Sequence, residues 1–175
     1  MPMSLFDALR STHREIEGLF GDVQNAIATE QHELAEMLFQ LASVKIVSAM
    51  RAEHSVVYPR FAREAGLVDE VSQALREHDG IERMIDMLRV GGLEPTEWCV
   101  AVQQLGTLVA DHADCEECTL FPIASLSFSS QQLAEMGRDY QERMAQIAPI
   151  AGASITYELA LPEQPPVLVI RFKAA

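Results

Sequence analysis

Three histidines and two glutamates, His13, Glu53, His78, His112 and Glu116, form a set of candidate metal ligands in this chain. Imidazole nitrogens and carboxylate oxygens ligate first-row metals, and in helical bundles carboxylates can bridge two cations while imidazoles terminate each. His112 and Glu116 stand four residues apart. On a helix such residues differ by only about 40° in direction and lie one turn apart, so both can reach one inter-helix volume.

The remaining candidates come from an internal echo. Glu53-His54-Ser55-Val56-Val57-Tyr58-Pro59 and Glu116-Glu117-Cys118-Thr119-Leu120-Phe121-Pro122 each place a Glu six residues before the proline of an aromatic-Pro pair. Upstream, His13-Arg14-Glu15-Ile16-Glu17 and His78-Asp79-Gly80-Ile81-Glu82 share the pattern His-x-x-Ile-Glu. A His-bearing helix followed by a Glu-bearing helix therefore occurs twice, as in a duplicated hairpin. Aligning Glu53 with Glu116 puts Ala49 where the second half has His112, so one expected imidazole is missing.

Several neighbours invite a ligand role and are read otherwise. His32 sits in a solvated Gln31-His32-Glu33 context. His54 follows Glu53 directly and points about 100° away around an ideal helix, toward the flank of the site, unless the helix unwinds locally. Glu17 and Glu82, one turn after their histidines, are read as solvated, with an outer-partner role for the imidazoles as the alternative. Cys115 and Cys118 fall inside a helix rather than at its N-terminus and read as buried packing thiols rather than a redox pair. Lys45, one turn before Ala49, is expected to snorkel to solvent.

These residues need helices to position them. Apolar positions recur at helical spacing over residues 4–28, with Ser4 as N-cap and Asp7 at the third helical position. A long second helix is expected over 31–63, bent or ended by Pro59. A third covers 68–90 and stops at Gly91-Gly92; a fourth opens at Pro95 and runs toward Pro122. Short connections make consecutive helices antiparallel. A more polar fifth helix, 130–147, is expected outside the bundle or in a dimer contact. The β-branched segments 154–161 and 167–172 read as a hairpin that covers the bundle or pairs with a second copy. The expected division is 1–128 for the bundle and 129–175 for the extension.

Composition narrows the function. The chain has 175 residues, enough for one ordinary core without a stabilising staple. Its 13 Lys and Arg against 26 Asp and Glu give a net charge of -13, which repels nucleic-acid phosphates and anionic lipid surfaces. No stretch approaches the roughly 18 apolar residues of a membrane span, and no basic segment leads into an apolar run near Met1. With three cysteines in a core that needs no staples, the expectation is a cytoplasmic protein with reduced thiols.

The combined pattern resembles the hemerythrin-like, or HHE cation-binding, domains over about residues 5–122. Those domains carry a His on the first helix, His-x-x-x-Glu on the second, a His on the third and His-x-x-x-Glu or Asp on the fourth. This chain supplies His13, Ala49-x-x-x-Glu53, His78 and His112-x-x-x-Glu116, with Tyr58-Pro59 and Phe121-Pro122 as the aromatic-Pro pairs. The resemblance implies an all-α, antiparallel up-down four-helix bundle around a non-haem iron centre. It also implies oxygen, nitric oxide or redox sensing, or iron handling under stress, with a small diatomic molecule as ligand. Ala49 departs from the pattern and argues against reversible oxygen carriage, which relies on a complete histidine set. Zinc could stand in place of iron. Two other functions fit the same residues: a helical interaction module with a degraded metal site, and a mono-iron oxygen-chemistry enzyme using His78, His112 and Glu116.

Overall fold

The computed structural model describes residues 3–151, and these are helical almost throughout. In chain order the helices are α1 (Leu5–Ala28), α2 (His32–Ala52), α3 (Tyr58–Glu64), α4 (Val68–Val90), α5 (Pro95–Cys115), α6 (Phe121–Ser125) and α7 (Ser130–Ala151). α1 starts as its sequence demands, with the Ser4 hydroxyl accepting the Asp7 N–H at 3.3 Å. α4 stops where Gly91 and Gly92 adopt φ of 80° and 95°, left-handed values that a side chain would resist. Glu94 and Glu97 then form a reciprocal capping box ahead of α5. The strands expected over 154–161 and 167–172 lie outside the described residues, as does any dimer contact they would make.

The two aromatic-Pro pairs act alike. Between α2 and α3 lies a π-helical turn, Glu53–Val57, and between α5 and α6 a second one, Glu116–Leu120. In each, the N–H of the aromatic residue bonds back five residues to the glutamate carbonyl, Tyr58 to Glu53 and Phe121 to Glu116. A proline inside an α-helix lacks an N–H and crowds the carbonyl four residues before it. Widening the preceding turn accommodates that ring without ending the helix. The bend expected at Pro59 is thus a π-turn, a feature frequent at functional sites.

α1 packs against α2 and α5, and α4 against α5 and α2, with α7 laid along α1 and α2. The buried apolar residues form two clusters. One gathers Leu5, Leu9, Phe61, Phe121, Phe128 and Met136; the other gathers Ile16, Phe20, Phe39, Ile85, Val102 and Leu105. α1 and α4 pass from the first cluster to the second, and the α2–α3 and α5–α6 segments pass from the second to the first. At the crossing level each contributes polar side chains: Thr12 and His13, Glu53, His78, and His112 with Glu116.

α7 is seated on the bundle, against α1 and α2. It inserts Met136 and Tyr140, both fully buried, into the first cluster. Gly137 permits this approach, because a Cβ there would lie 2.8 Å from the Met3 carbonyl oxygen.

Candidate metal centre

Burying ionisable groups between two apolar cores is costly, by several kcal/mol for each charge left unpaired. Glu53, His78, His112 and Glu116 are nonetheless buried, and His13 is nearly so. His13 shares the inward face of α1 with Leu9, Ile16 and Phe20, at the helical spacing that fills the core. His78 lies between Ala74 and Ile81 on the buried face of α4. Glu53 and Glu116 each open a π-turn, so the duplicated motif delivers two carboxylates to one level.

All five expected site residues come together, in two overlapping groups. Glu53, His78 and His112 offer one ligand atom each, as do His13, Glu53 and Glu116; within each group these atoms all lie within 4.8 Å of one another. Glu53 belongs to both. His78 Nε2 is 3.4 Å from Glu53 Oε2, and His13 Nε2 is 3.3 Å from Glu116 Oε2. The carboxylate that completes the two-imidazole group is Glu53, not Glu116, whose Oε2 stands 3.9 Å from His112 Nε2.

Two observations fit a cation. Glu116 Oε2 is buried with no hydrogen-bond partner; the nearby His13 ring makes a charge contact rather than a hydrogen bond. His78 Nε2 and His112 Nε2 lie 2.8 Å apart. Two nitrogen lone pairs at that separation repel, so a proton or a cation must mediate between them.

Each imidazole is oriented from behind through Nδ1. His13 and His112 use Nδ1 toward Glu117 Oε1 and Glu77 Oε2, both at 2.8 Å, and His78 Nδ1 meets His54 Nε2 at 2.8 Å. Such partners fix ring orientation and direct Nε2 toward the site. With His112 Nδ1–H donating to Glu77, a neutral His112 has Nε2 as an acceptor. His78 Nε2–H can fill it and in turn accept at Nδ1 from His54. The chain His54, His78, His112, Glu77 is then continuous.

Sequence reasoning missed most of these outer partners. Glu17 is exposed and the Glu82 carboxylate lies 3.6 Å from Arg51, so neither serves its own helix's histidine. The actual partners sit on neighbouring helices, beyond the reach of any single-helix spacing rule. His54 is the instructive case: its place in the π-turn carries the local unwinding that brings its ring onto His78.

Two tyrosines cover the carboxylates. Tyr58 donates to Glu116 Oε1 at 2.7 Å, and Tyr140 to Glu53 Oε1 at 3.4 Å. Burial, then the neighbouring glutamates, holds both phenols well above their usual range. Burial and the Glu116 charge push Glu53 up to about 8. Burial alone would also raise Glu116, but His13, His112 and Tyr58 override it and bring it down to about 2. Burial opposes a charged His13, yet Glu116 and Glu117 outweigh it and raise the ring to about 9. Burial and His112 lower His78 to about 2, so this ring is neutral, as a ligand must be.

Ala49 is buried and faces a cavity of about 670 Å³ that it shares with His13, Glu53, His78 and His112. Lys45 does not fill it; its ammonium pairs with Glu15 toward solvent. His32 is exposed, as expected. Cys115 and Cys118 are also exposed, correcting the packing-thiol expectation. With Glu116 turned inward, the positions one before and two after it face out. Burial and the Glu77 and Glu116 charges raise the Cys115 thiol, so it is not an activated thiolate.

This helical architecture with a His and Glu cluster at its crossing level defines a cation-binding bundle. The hemerythrin HHE cation-binding domain matches residues 4–124, and the chain belongs to that family. A DNA nickase of Nostoc sp. is 24% identical over 154 residues, covering 88% of this chain and 43% of the relative. The chain thus spans less than half the length of the curated relative it matches. No solved structure matches it. Among the described residues no helix is long and apolar enough to cross a membrane.

Proposed function

We propose that the protein holds iron at His13, Glu53, His78, His112 and Glu116, with Glu53 shared between two ions, and that it works in sensing or iron handling rather than oxygen carriage. The observation that carries this reading is the pair of ligand groups meeting at Glu53, with Glu116 Oε2 left without a hydrogen bond. Iron bound there supplies one-electron chemistry and open positions for a small diatomic molecule or oxidant. The protein's own part is to hold Nε2 of each ring inward, keep His78 neutral, and place Tyr58 and Tyr140 as donors to the carboxylates. The alternating passage between the two apolar clusters supports an antiparallel up-down bundle, with residues 1–128 as the family domain and 129–175 as its extension. Against oxygen carriage stand Ala49 and the cavity it opens, where a carrier needs a complete and closed site.

The relative's name would suggest action on DNA, but a net charge of -13 opposes approach to phosphates, and the shared region is a minor part of that protein. The test is metal analysis of protein purified without chelators, together with its optical spectrum. The expected outcome is iron at up to two per chain, with absorption bands that change on adding nitric oxide. No more than trace iron or zinc would overturn the reading.

A further inference from the structure

The cavity beside Ala49 is far larger than a diatomic ligand requires. At about 670 Å³ it lies within the roughly 300–1,000 Å³ range of small-molecule sites, whereas one water occupies about 30 Å³ of liquid. Its wall is largely apolar, with Ile16, Phe20, Ile46, Met50, Ile81 and Val109 beside the polar Gln24 and Thr107, while one end is the His and Glu cluster. The group of His13, Glu53 and Glu116 offers a single nitrogen, against two in the group of Glu53, His78 and His112. Ala49 lines the same cavity and supplies no donor to it.

Resting on the iron reading above, we infer that this cavity binds a monocarboxylate with an apolar body, its head reaching the ion held by His13, Glu53 and Glu116. Two glutamates carry two negative charges, so two bound iron ions leave a cationic end buried in a low-dielectric interior, where an anionic oxygen donor is strongly favoured. The apolar wall takes the chain. The mouth carries Arg14 among Glu17, Asp114 and Glu117, an acidic surround that opposes anions, so affinity must come from the bound ions and the apolar body of the ligand and falls further for a dianion.

The test uses the iron-loaded chain, with azide as the optical probe of the site and sodium octanoate and acetate as competitors. Each methylene buried multiplies affinity by about four, so burying only three or four of octanoate's six extra methylenes should let it displace azide at roughly a hundredfold lower concentration than acetate. Val109→Trp narrows the apolar wall without touching a ligand residue; it should reduce the preference for octanoate while keeping iron content and the azide band. Equal competition by the two carboxylates in the unaltered chain would overturn the inference and leave the iron reading intact. So would equally tight octanoate binding to metal-free protein. A chain that takes up no iron would overturn both.

Discussion

The two halves of the centre share a scaffold and differ in what they offer a cation. Each has a Glu opening a π-turn that ends in an aromatic-Pro pair, and each has a His on the preceding helix. On one side His78 and His112 face each other at 2.8 Å, braced by His54 and Glu77. On the other His13 stands as the lone imidazole, braced by Glu117, and Ala49 opens onto a cavity. A scaffold can therefore be kept by its turn chemistry while its ligand set diverges by one residue. The lost imidazole turns part of a closed site into an accessible one.

Removing the carboxylate common to both halves should have the largest effect. Glu53→Ala is expected to lose both ions, read as iron per chain after gel filtration; retention of one ion at full affinity would break the view that Glu53 is shared. Next come the single imidazoles. His112→Ala should remove the tighter ion and leave a weak one, whereas His13→Ala should spare the tighter ion, and isothermal titration with ferrous iron or zinc separates the two. Ala49→His should instead tighten the weaker ion toward the stronger. Unchanged affinity there would show that the asymmetry does not come from the missing imidazole. Loss of an outer partner in His54→Ala or Glu77→Gln should weaken the tighter ion by about 10–100-fold.

The smallest effect is the pH dependence of the metal-free chain. His13, near 9 when folded against 6.5 unfolded, contributes stability that is present below 6.5 and lost as pH rises through 9. Glu53, near 8 against 4.5, has the same sign, with stability lost as pH rises from 4.5 to 8. His78 and Glu116, both near 2, have the opposite sign and lose stability as pH falls below 6.5 and 4.5 respectively. The metal-free protein should therefore be most stable between pH 4.5 and 6.5 and melt lower by a few degrees at about pH 9. Because bound cations displace protons, metal should raise Tm more at pH 9 than at pH 6. Parallel Tm curves with and without metal would discredit this linkage.

Much of this was legible before any fold was seen, and for local reasons. Helical periodicity, Ser4 as a cap, the Gly91-Gly92 stop and the placement of five candidate ligands all depend on residues within a turn or two of one another. What failed were statements about neighbours distant in sequence. The polarity of α7 suggests an outer helix but not which surface it meets; Gly137 lets it seat against the start of α1 and send Tyr140 to Glu53. A mid-helix position away from the N-terminal dipole suggests packing thiols for Cys115 and Cys118, but the inward direction of Glu116 puts both outside.

Helix periods, the duplicated Glu and aromatic-Pro motif and the imidazole missing at Ala49 follow from the amino-acid order alone, since period, proline chemistry and residue type are properties of short segments. The sharing of Glu53 by both groups, and the place of His54, Glu77 and Glu117 behind the rings, come from the packing of the helices. The same packing opens the vacancy at Ala49 into a cavity. Those facts depend on how helices far apart in the chain approach one another, and side-chain distances across a bundle are set by packing, which no periodicity encodes.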